Sequence, residues 1–280
     1  MPLRDRPVVT FLSDFGLDGA AAICRGVILS ICPEAQIVDI AHTVPKYAVA
    51  DGAFILASAL PWMPVGVHLA VVDPGVGTSR RPIALRVARG DILVGPDNGL
   101  LIDGADALGG IGEVRELANG AAWGPARSTT FHGRDVFAPV AASLAVGSTT
   151  FDDLGPLMSG SELVRLPRRA AAFRDGWLET EVIYVDSFGN LRLAGNASDL
   201  AQLGGGEIRA IPLQVELSAG SGGEPMAIES NLVTTFGEVA EGSSLVYLDS
   251  SGHPALADNQ GSVATRLGAR TGMLVRMRRR

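Results

Sequence analysis

Lysine, cysteine and aromatic residues are scarce in this chain. Lys46 is the only lysine, so the remaining 22 of the 23 Lys+Arg residues are arginine (23 − 1 = 22). No glycine-rich loop ends in Lys-Ser or Lys-Thr, which removes the P-loop and with it nucleotide triphosphate hydrolysis. Cys24 and Cys32 are the only cysteines. They lie on or just after one predicted helix, are too few for a metal cluster, and read as reduced core thiols of a cytoplasmic protein. His42, His68 and His253 have no companions at ligand spacing, and neither His-Glu-x-x-His nor Cys-x-x-Cys occurs, so no protein-bound catalytic metal is expected. A Gly-x-Ser-x-Gly elbow is also missing, which leaves an α/β serine hydrolase without its nucleophile. Basic blocks are confined to Arg278–Arg280, at the end of a segment from Arg276 expected to be a solvated tail. With a net charge of −7, nucleic acid is not an expected partner and a cationic small molecule fits better. No apolar run approaches membrane-spanning length, and Arg4, Asp5 and Arg6 precede a strand rather than the apolar core of a signal peptide, so no membrane partner is expected.

What the chain does have is hydrophobic residues, 47% of its 280, enough for two domains with cores of their own. Val8–Leu12, Gln36–Ile40 and Val67–Val72 read as strands separated by helices over Gly19–Ile31 and Val49–Leu60. This β-α-β-α-β order predicts an α/β domain with a mostly parallel sheet. Ile83–Val87 and Asp91–Val94 add strands, and a helix opens at Thr129–Asp135 and runs to Leu144. After Leu157 the pattern changes to strands without long helices: Leu178–Val185, Leu191–Leu193, Glu207–Leu217, Ser244–Leu248 and Met273–Met277. Gly204–Gly206 and Ser218–Gly223 read as loops. The predicted organisation is an α/β domain over 1–165, a linker over 166–176, and a smaller all-β, barrel-like domain over 177–280.

The most informative stretch is Val67–Arg81, in which an apolar strand runs into Asp73-Pro74-Gly75 and then two arginines. Ligands of open α/β sheets collect outside the carboxyl ends of the strands, which makes Asp73, with Arg80 or Arg81, a candidate for chemistry. Asp-Pro-Gly is also ordinary turn chemistry. Asp14 ends the first strand, where an acid can accept two hydrogen bonds from a ribose diol or cap the following helix. Asp97-Asn98-Gly99 reads as a turn. His132 precedes a helix, as a substrate contact or a structural residue. Acid, arginine and histidine with no metal and no covalent nucleophile point to positioning and deprotonating a water.

Taken in order, Thr10-Phe-Leu-Ser-Asp-Phe-Gly16, Gly26-Val-Ile-Leu-Ser-Ile-Cys-Pro-Glu34, Val71-Val-Asp-Pro-Gly-Val-Gly77, Gly95-Pro-Asp-Asn-Gly-Leu-Leu101, Thr130-Phe-His-Gly-Arg-Asp135 and Asp186-Ser-Phe-Gly-Asn190 resemble the S-adenosyl-L-methionine (SAM) hydroxide adenosyltransferases. These SAM hydrolases are related to the SAM-dependent fluorinase and chlorinase. The resemblance implies a homotrimer with active sites between the N-terminal domain of one subunit and the C-terminal domain of its neighbour, and no cofactor beyond the substrate SAM. It places Asp73, Arg80 and His132 in a catalytic triad that the halogenases lack, so water rather than halide is the implied nucleophile. It assigns Asp14 to the ribose hydroxyls, and Tyr47 and Phe131, followed by Gly133, to the sugar and sulfonium region. Phe188 and Asn190 fall on adenine, with backbone contacts from Asn259 and Gln260, and Asp186 and Ser250 on the methionine amino and carboxylate groups. The chain departs from the halogenases at Ala20, where they have a polar side chain, and at Ser251, where they have an arginine.

The implied reaction is in-line attack of water on C5′ of the ribose, releasing adenosine and methionine. A halogenase using the same substrate, and a non-catalytic adenosine or SAM sensor, are the alternatives.

Overall fold

Two compact units divide the chain between Leu166 and Pro167. The computed structural model describes residues 6–123, 128–167, 170–204, 210–218 and 225–280.

The first unit is built on a seven-stranded sheet: β1 (Val8–Ser13), β2 (Gln36–Ala41), β3 (Val67–Val71), β4 (Pro82–Val87), β5 (Ile92–Pro96), β6 (Ile111–Glu116) and β7 (Leu157–Met158). Their order is β2-β1-β3-β5-β4-β6-β7. The β2-β1-β3-β5 part is parallel and the β5-β4-β6-β7 part antiparallel. The parallel core follows from the alternating strand and helix pattern. The antiparallel extension begins where β4 turns into β5 without an intervening helix, and β6 and β7 had no clear period in the sequence. Along β3, Val67, Leu69 and Val71 face the core that holds α1 (Ala20–Ile31) and α4 (Ala138–Val146). Ala70 and Val72 face the opposite core, with α2 (Val49–Ala59) and α3 (Ile102–Ala107). Apolar side chains on both faces are what a strand sandwiched by helices requires.

One polar chain crosses this apolar sheet. Thr10 and His68 are directly paired on β1 and β3. The Thr10 hydroxyl lies 2.9 Å from His68 Nδ1, and His68 Nε2 lies 2.9 Å from Asp91 Oδ1, all three residues fully buried. Arg89 closes the chain with two hydrogen bonds to Asp91, of 2.7 and 2.9 Å. Burial pushes the His68 pKa down against the pull of Asp91. The neutral ring then donates from Nε2 to the carboxylate and accepts the threonine hydroxyl at Nδ1.

In the second unit seven strands close on themselves: β9 (Trp177–Val185), β10 (Leu191–Leu193), β11 (Ile211–Ser218), β12 (Met226–Leu232), β13 (Ser244–Leu248), β14 (Pro254–Asp258) and β15 (Leu274–Arg279). The pairing runs β9-β15-β11-β12-β13-β14-β10 and returns to β9, with β8 (Ala172–Arg174) added outside β9. Closure leaves no open edge in the ring. Leu213, Val215 and Leu217 alternate inward on β11, as do Val275 and Met277 on β15, with Leu191 and Leu193 from β10. Short helices α5 (Ala197–Gly204) and α6 (Val263–Leu267) accompany the barrel.

Several expectations are corrected here. The supposed linker contains β8, and the supposed tail from Arg276 is strand β15, held between β9 and β11 with Arg276 bonded to Glu216 at 2.6 Å. Arg276 and Arg278 point outward from a strand whose alternate residues Val275 and Met277 fill the barrel, so the basic run concealed a period of two. Gly204 ends α5 rather than opening a loop. The start of the strand expected from Glu207, most of the loop at Ser218–Gly223, Gly205–Gly206, Arg168–Arg169 and Arg4–Asp5 lie outside the described residues. Strands β12 and β14 escaped the sequence reading because their polar and small residues break the apolar alternation.

Candidate active site

The end of β3 and the turn after it carry a cluster of charged side chains. Two tight turns, Val76 N to Asp73 O at 3.3 Å and Thr78 N to Gly75 O at 3.1 Å, bring the chain back so that Arg80 faces Asp73. Arg80 donates from Nε to Asp73 Oδ1 at 3.0 Å and from Nη2 to Asp73 Oδ2. Such a two-pronged contact matches the fixed fork of a guanidinium to the two oxygens of a carboxylate. The pair is nearly buried, the Arg80 and Asp73 side chains 7% and 6% exposed. The neighbouring arginine goes elsewhere. Arg81 bonds Asp97 at 2.6 Å and the Glu162 carbonyl at 2.6 Å, while Asp97 also accepts from Val164 N at 2.9 Å. Asp97 is therefore a clamp on the segment 162–164, and Asn98 caps the end of β3 through the Val72 carbonyl at 2.8 Å.

His132 reaches the pair from a distant part of the sequence. Gly77 sits at φ +78°, and a Cβ there would stand 2.4 Å from the Thr129 carbonyl. Only glycine lets the 129–132 segment lie this close to the Asp73 turn. Arg80 Nη2 then comes within 3.1 Å of His132 Nδ1. A guanidinium can only donate, so Nδ1 accepts and the neutral imidazole carries its proton on Nε2. Burial first, and the Arg80 charge second, lower the His132 pKa below its ordinary value, against smaller opposing effects of Asp73 and Asp135. Arg80 Nη1 is buried with no hydrogen-bond partner among the described residues.

Asp14 stands across the same pocket, at the end of β1. The loop from His42 to Tyr47 grips it: Gly16 N donates to His42 O at 2.7 Å, Lys46 Nζ to Asp14 O at 2.8 Å, and Tyr47 N to Asp14 Oδ2 at 3.0 Å. Asp14 Oδ1 has no hydrogen-bond partner among the described residues, so one carboxylate oxygen is left for a ligand. Tyr47 adopts a left-handed φ of 67° and is 71% exposed. Phe131 meets Phe15 edge to face at 5.7 Å, and a Cβ on Gly133 would come 2.8 Å from Phe15 Cζ. Asp14, Tyr47, Asp73, Phe131, His132 and Gly133 thus share one pocket of about 580 Å³, also lined by Asp18, Ala20 and Lys46. Arg80 stands behind Asp73. The motif residues Arg134 and Asp135 pair with each other at 2.6 Å, as structural support for the π turn Gly133–Phe137.

The barrel holds a second concavity of about 570 Å³, lined by Asp186, Phe188, Asn190, Arg192, Phe236, Tyr247, Asp258, Gln260 and Gly261. Four of the six barrel residues singled out from the sequence meet here. Ser250 lies exposed on the turn after β13, and Asn259 holds the Val239 carbonyl at 2.9 Å, so neither lines the concavity. Asp186 turns its carboxylate to its own loop. Oδ1 accepts Phe188 N and Asn190 N, both at 2.9 Å, and Oδ2 accepts Asn190 Nδ2 at 3.0 Å and Arg192 Nη2 at 3.1 Å. Those four contacts occupy its acceptor positions and organise the loop. Arg192, Phe236 and Tyr247 went unnoticed in the sequence: Arg192 stands on the short strand just after the Asp186–Asn190 motif, and Phe236 and Tyr247 have no motif around them.

Among the described residues, no cluster of three histidine, cysteine or acidic side chains could hold a metal ion, and no helix is long and apolar enough to cross a membrane. An α/β unit with polar groups gathered at its strand ends, joined in sequence to a closed barrel with an aromatic concavity, defines a small-molecule enzyme. Residues 9–155 match the SAM hydroxide adenosyltransferase N-terminal domain and residues 180–276 the C-terminal domain, and the chain belongs to that family. It is 45% identical over 272 residues to an (R)-S-adenosyl-L-methionine hydrolase of Salinispora tropica, with 97% of each chain covered. A fluorinase from an Actinoplanes species is more distant, 29% identical over 302 residues and 98% of each chain. A crystal structure of a Thermotoga maritima protein superposes with a TM-score of 0.85 at 31% identity, covering 97% of this chain and 100% of that one.

Proposed function

We propose that the protein hydrolyses S-adenosyl-L-methionine to adenosine and L-methionine. The observation that carries the reading is the Asp73–Arg80–His132 cluster, set in one pocket with Asp14. The C5′–S bond breaks and its electron pair returns to sulfur, which leaves as a neutral thioether. A water oxygen forms the new bond to C5′ and gives up a proton. Since the sulfonium is already an activated leaving group, no general acid is needed for departure, and the protein's task is to hold the water in line.

The three side chains divide that task. Neutral His132 offers its Nε2–H to the water and Asp73 accepts a hydrogen bond from it. Arg80 fixes both partners. His132 cannot take a proton at Nε2 in this tautomer, which leaves Asp73 as the acceptor when the oxygen turns acidic on forming its new bond. Asp14 holds the ribose hydroxyls, and Tyr47 and Phe131 flank the sugar and sulfonium. Phe188, Asn190 and Gln260 serve adenine, and no cofactor beyond the substrate is involved. We place the protein in the cytoplasm as a homotrimer, each site formed by the α/β pocket of one subunit and the barrel concavity of a neighbour. The support is that each unit carries a different part of the substrate-binding set.

The Salinispora relative is named for the R epimer. The sulfonium is a stereogenic centre, and the same stereochemical preference is proposed for this chain. Incubation with each epimer, with and without fluoride or chloride, followed by product analysis, tests the whole reading. Adenosine from the R epimer in every buffer supports it. A 5′-halo-nucleoside would make the protein a halogenase, and tight binding without turnover in long incubations a sensor.

A further inference from the structure

We infer that Arg192 is a positioning residue for the adenosine-contacting loop Asp186–Asn190, tying that loop to the barrel wall through Asp249 and Tyr247. The inference rests on the proposed function for the role of the loop, and on the barrel's own geometry for the tie.

Phe188 and Asn190 line the concavity, yet Phe188 is 77% exposed and has almost no packing of its own to hold it in place. Its position is set by the loop alone. Inside the loop, Asp186 gathers the Phe188 and Asn190 amides and the Asn190 side chain, and the Gly189 amide returns to the Asp186 carbonyl at 2.9 Å. These bonds make the loop rigid, and on one side the Gly189 carbonyl accepts from Ala264 N of α6 at 3.0 Å. The anchor to the barrel wall on the Asp249 and Tyr247 side is Arg192 on β10. Its Nη2 meets Asp186 Oδ2 at 3.1 Å, while its Nη1 lies 3.1 Å from Asp249 Oδ2 and donates to Tyr247 Oη at 3.1 Å.

Asp249 is tied down in turn, since its Oδ1 accepts Ser251 N and His253 N, both at 2.8 Å. Tyr247 packs edge-on against Phe236, another lining residue, at 5.0 Å. Strand register explains how the arginine spans this distance. Arg192 and Tyr247 both pair with Ala255, on its two sides, so a methyl group is all that separates them across three strands.

Charge makes the tie decisive. The Asp186 and Asp249 side chains are 14% and 4% exposed, and one guanidinium serves both. Without it two carboxylates of like charge face each other with little solvent to screen them, and repulsion drives the loop from the wall. The reacting groups Asp73, Arg80 and His132 belong to the other unit, so the effect falls on substrate binding.

The test is steady-state adenosine release by Arg192→Met, Arg192→Lys and the double variant Arg192→Met/Asp249→Asn, with adenosine affinity measured by calorimetry on each. Arg192→Met is expected to raise KM and weaken adenosine binding about 10-fold with kcat changed by less than about threefold. Arg192→Lys, with one charge but no fork, is expected to recover part of the loss. Removing the Asp249 charge from the Met variant is expected to recover more. If Arg192→Met does not fold, Arg192→Lys and Tyr247→Phe carry the same comparison. Unchanged KM and adenosine affinity in the folded variants would overturn the inference, as would an equal fall in kcat with KM unmoved. A wild-type protein that binds adenosine but releases none from either SAM epimer would sink the hydrolase reading instead, and the calorimetry would still decide the role of Arg192.

Discussion

Arg80 Nη2 bonds two side chains at once, the carboxylate of Asp73 and, at 3.1 Å, the Nδ1 of His132. A single guanidinium therefore sets the orientation of both groups proposed to touch the attacking water. Replacing Asp73 with Asn keeps the shape, removes the charge, and leaves Arg80 buried without its counter-ion. We expect kcat for adenosine release to fall on the order of 10²- to 10⁴-fold, the range typical of losing a general base. Undiminished release by a folded Asp73→Asn enzyme would remove the residue from the mechanism. Arg80→Lys should be nearly as damaging, since an ammonium cannot fork across two oxygens and still reach the imidazole.

Acid should inactivate the enzyme through His132. Protonation puts a second N–H on Nδ1, facing the Arg80 cation, so the hydrogen bond is lost and activity falls as pH drops through the His132 pKa. Burial and Arg80 both lower that pKa, which puts the acid limb below the ordinary 6.5. In Arg80→Gln the second cause disappears, and the midpoint should move back up. NMR titration of the His132 ring in the resting protein measures this without turnover, and a midpoint above 6.5 in the wild type would contradict it.

Gly133→Ala probes the aromatic wall. The added methyl would stand 2.8 Å from Phe15 Cζ, so Phe15 has to move and Phe131, packed on it, moves with it. Overpacking of this kind costs roughly 1–3 kcal/mol. Unfolding midpoints and KM for SAM should both worsen, and an unchanged KM would show that the wall does not touch substrate.

The buried chain from Thr10 through His68 to Asp91 should govern stability and not chemistry. His68→Leu leaves the Thr10 hydroxyl and an Asp91 lone pair unmatched, at roughly 1–3 kcal/mol for each buried polar group left unpaired. Because the folded protein keeps His68 neutral, the unfolded chain takes up the proton first as pH falls below 6.5, and stability declines on acidification. Denaturant unfolding at pH 5 and pH 7.5 should show that decline in the wild type and a smaller one in His68→Leu, where the remaining share belongs to His132. KM for SAM should stay the same in both proteins.

Much of this protein was determined by local patterns. The apolar run Val67–Val72 could only be a strand covered on both faces, and the alternation of strands and helices before Leu157 required a parallel core. The motifs around Asp14, Asp73, His132 and Asp186 carried the family resemblance and named the pocket residues. Other features are non-local and left no mark in the sequence. The turn after Asp73 left Arg80 and Arg81 open until the family resemblance singled out Arg80, and the physical reason lies in Asp97, which turns its carboxylate to Arg81 and leaves Arg80 for Asp73. The barrel's closure depends on β10 pairing with both β9 and β14, and the Arg192 tie on a small residue, Ala255, between two larger ones. Periodicity in a sequence records which face of a strand is buried. It does not record which strand lies next to it, and here that neighbour decides which charges meet.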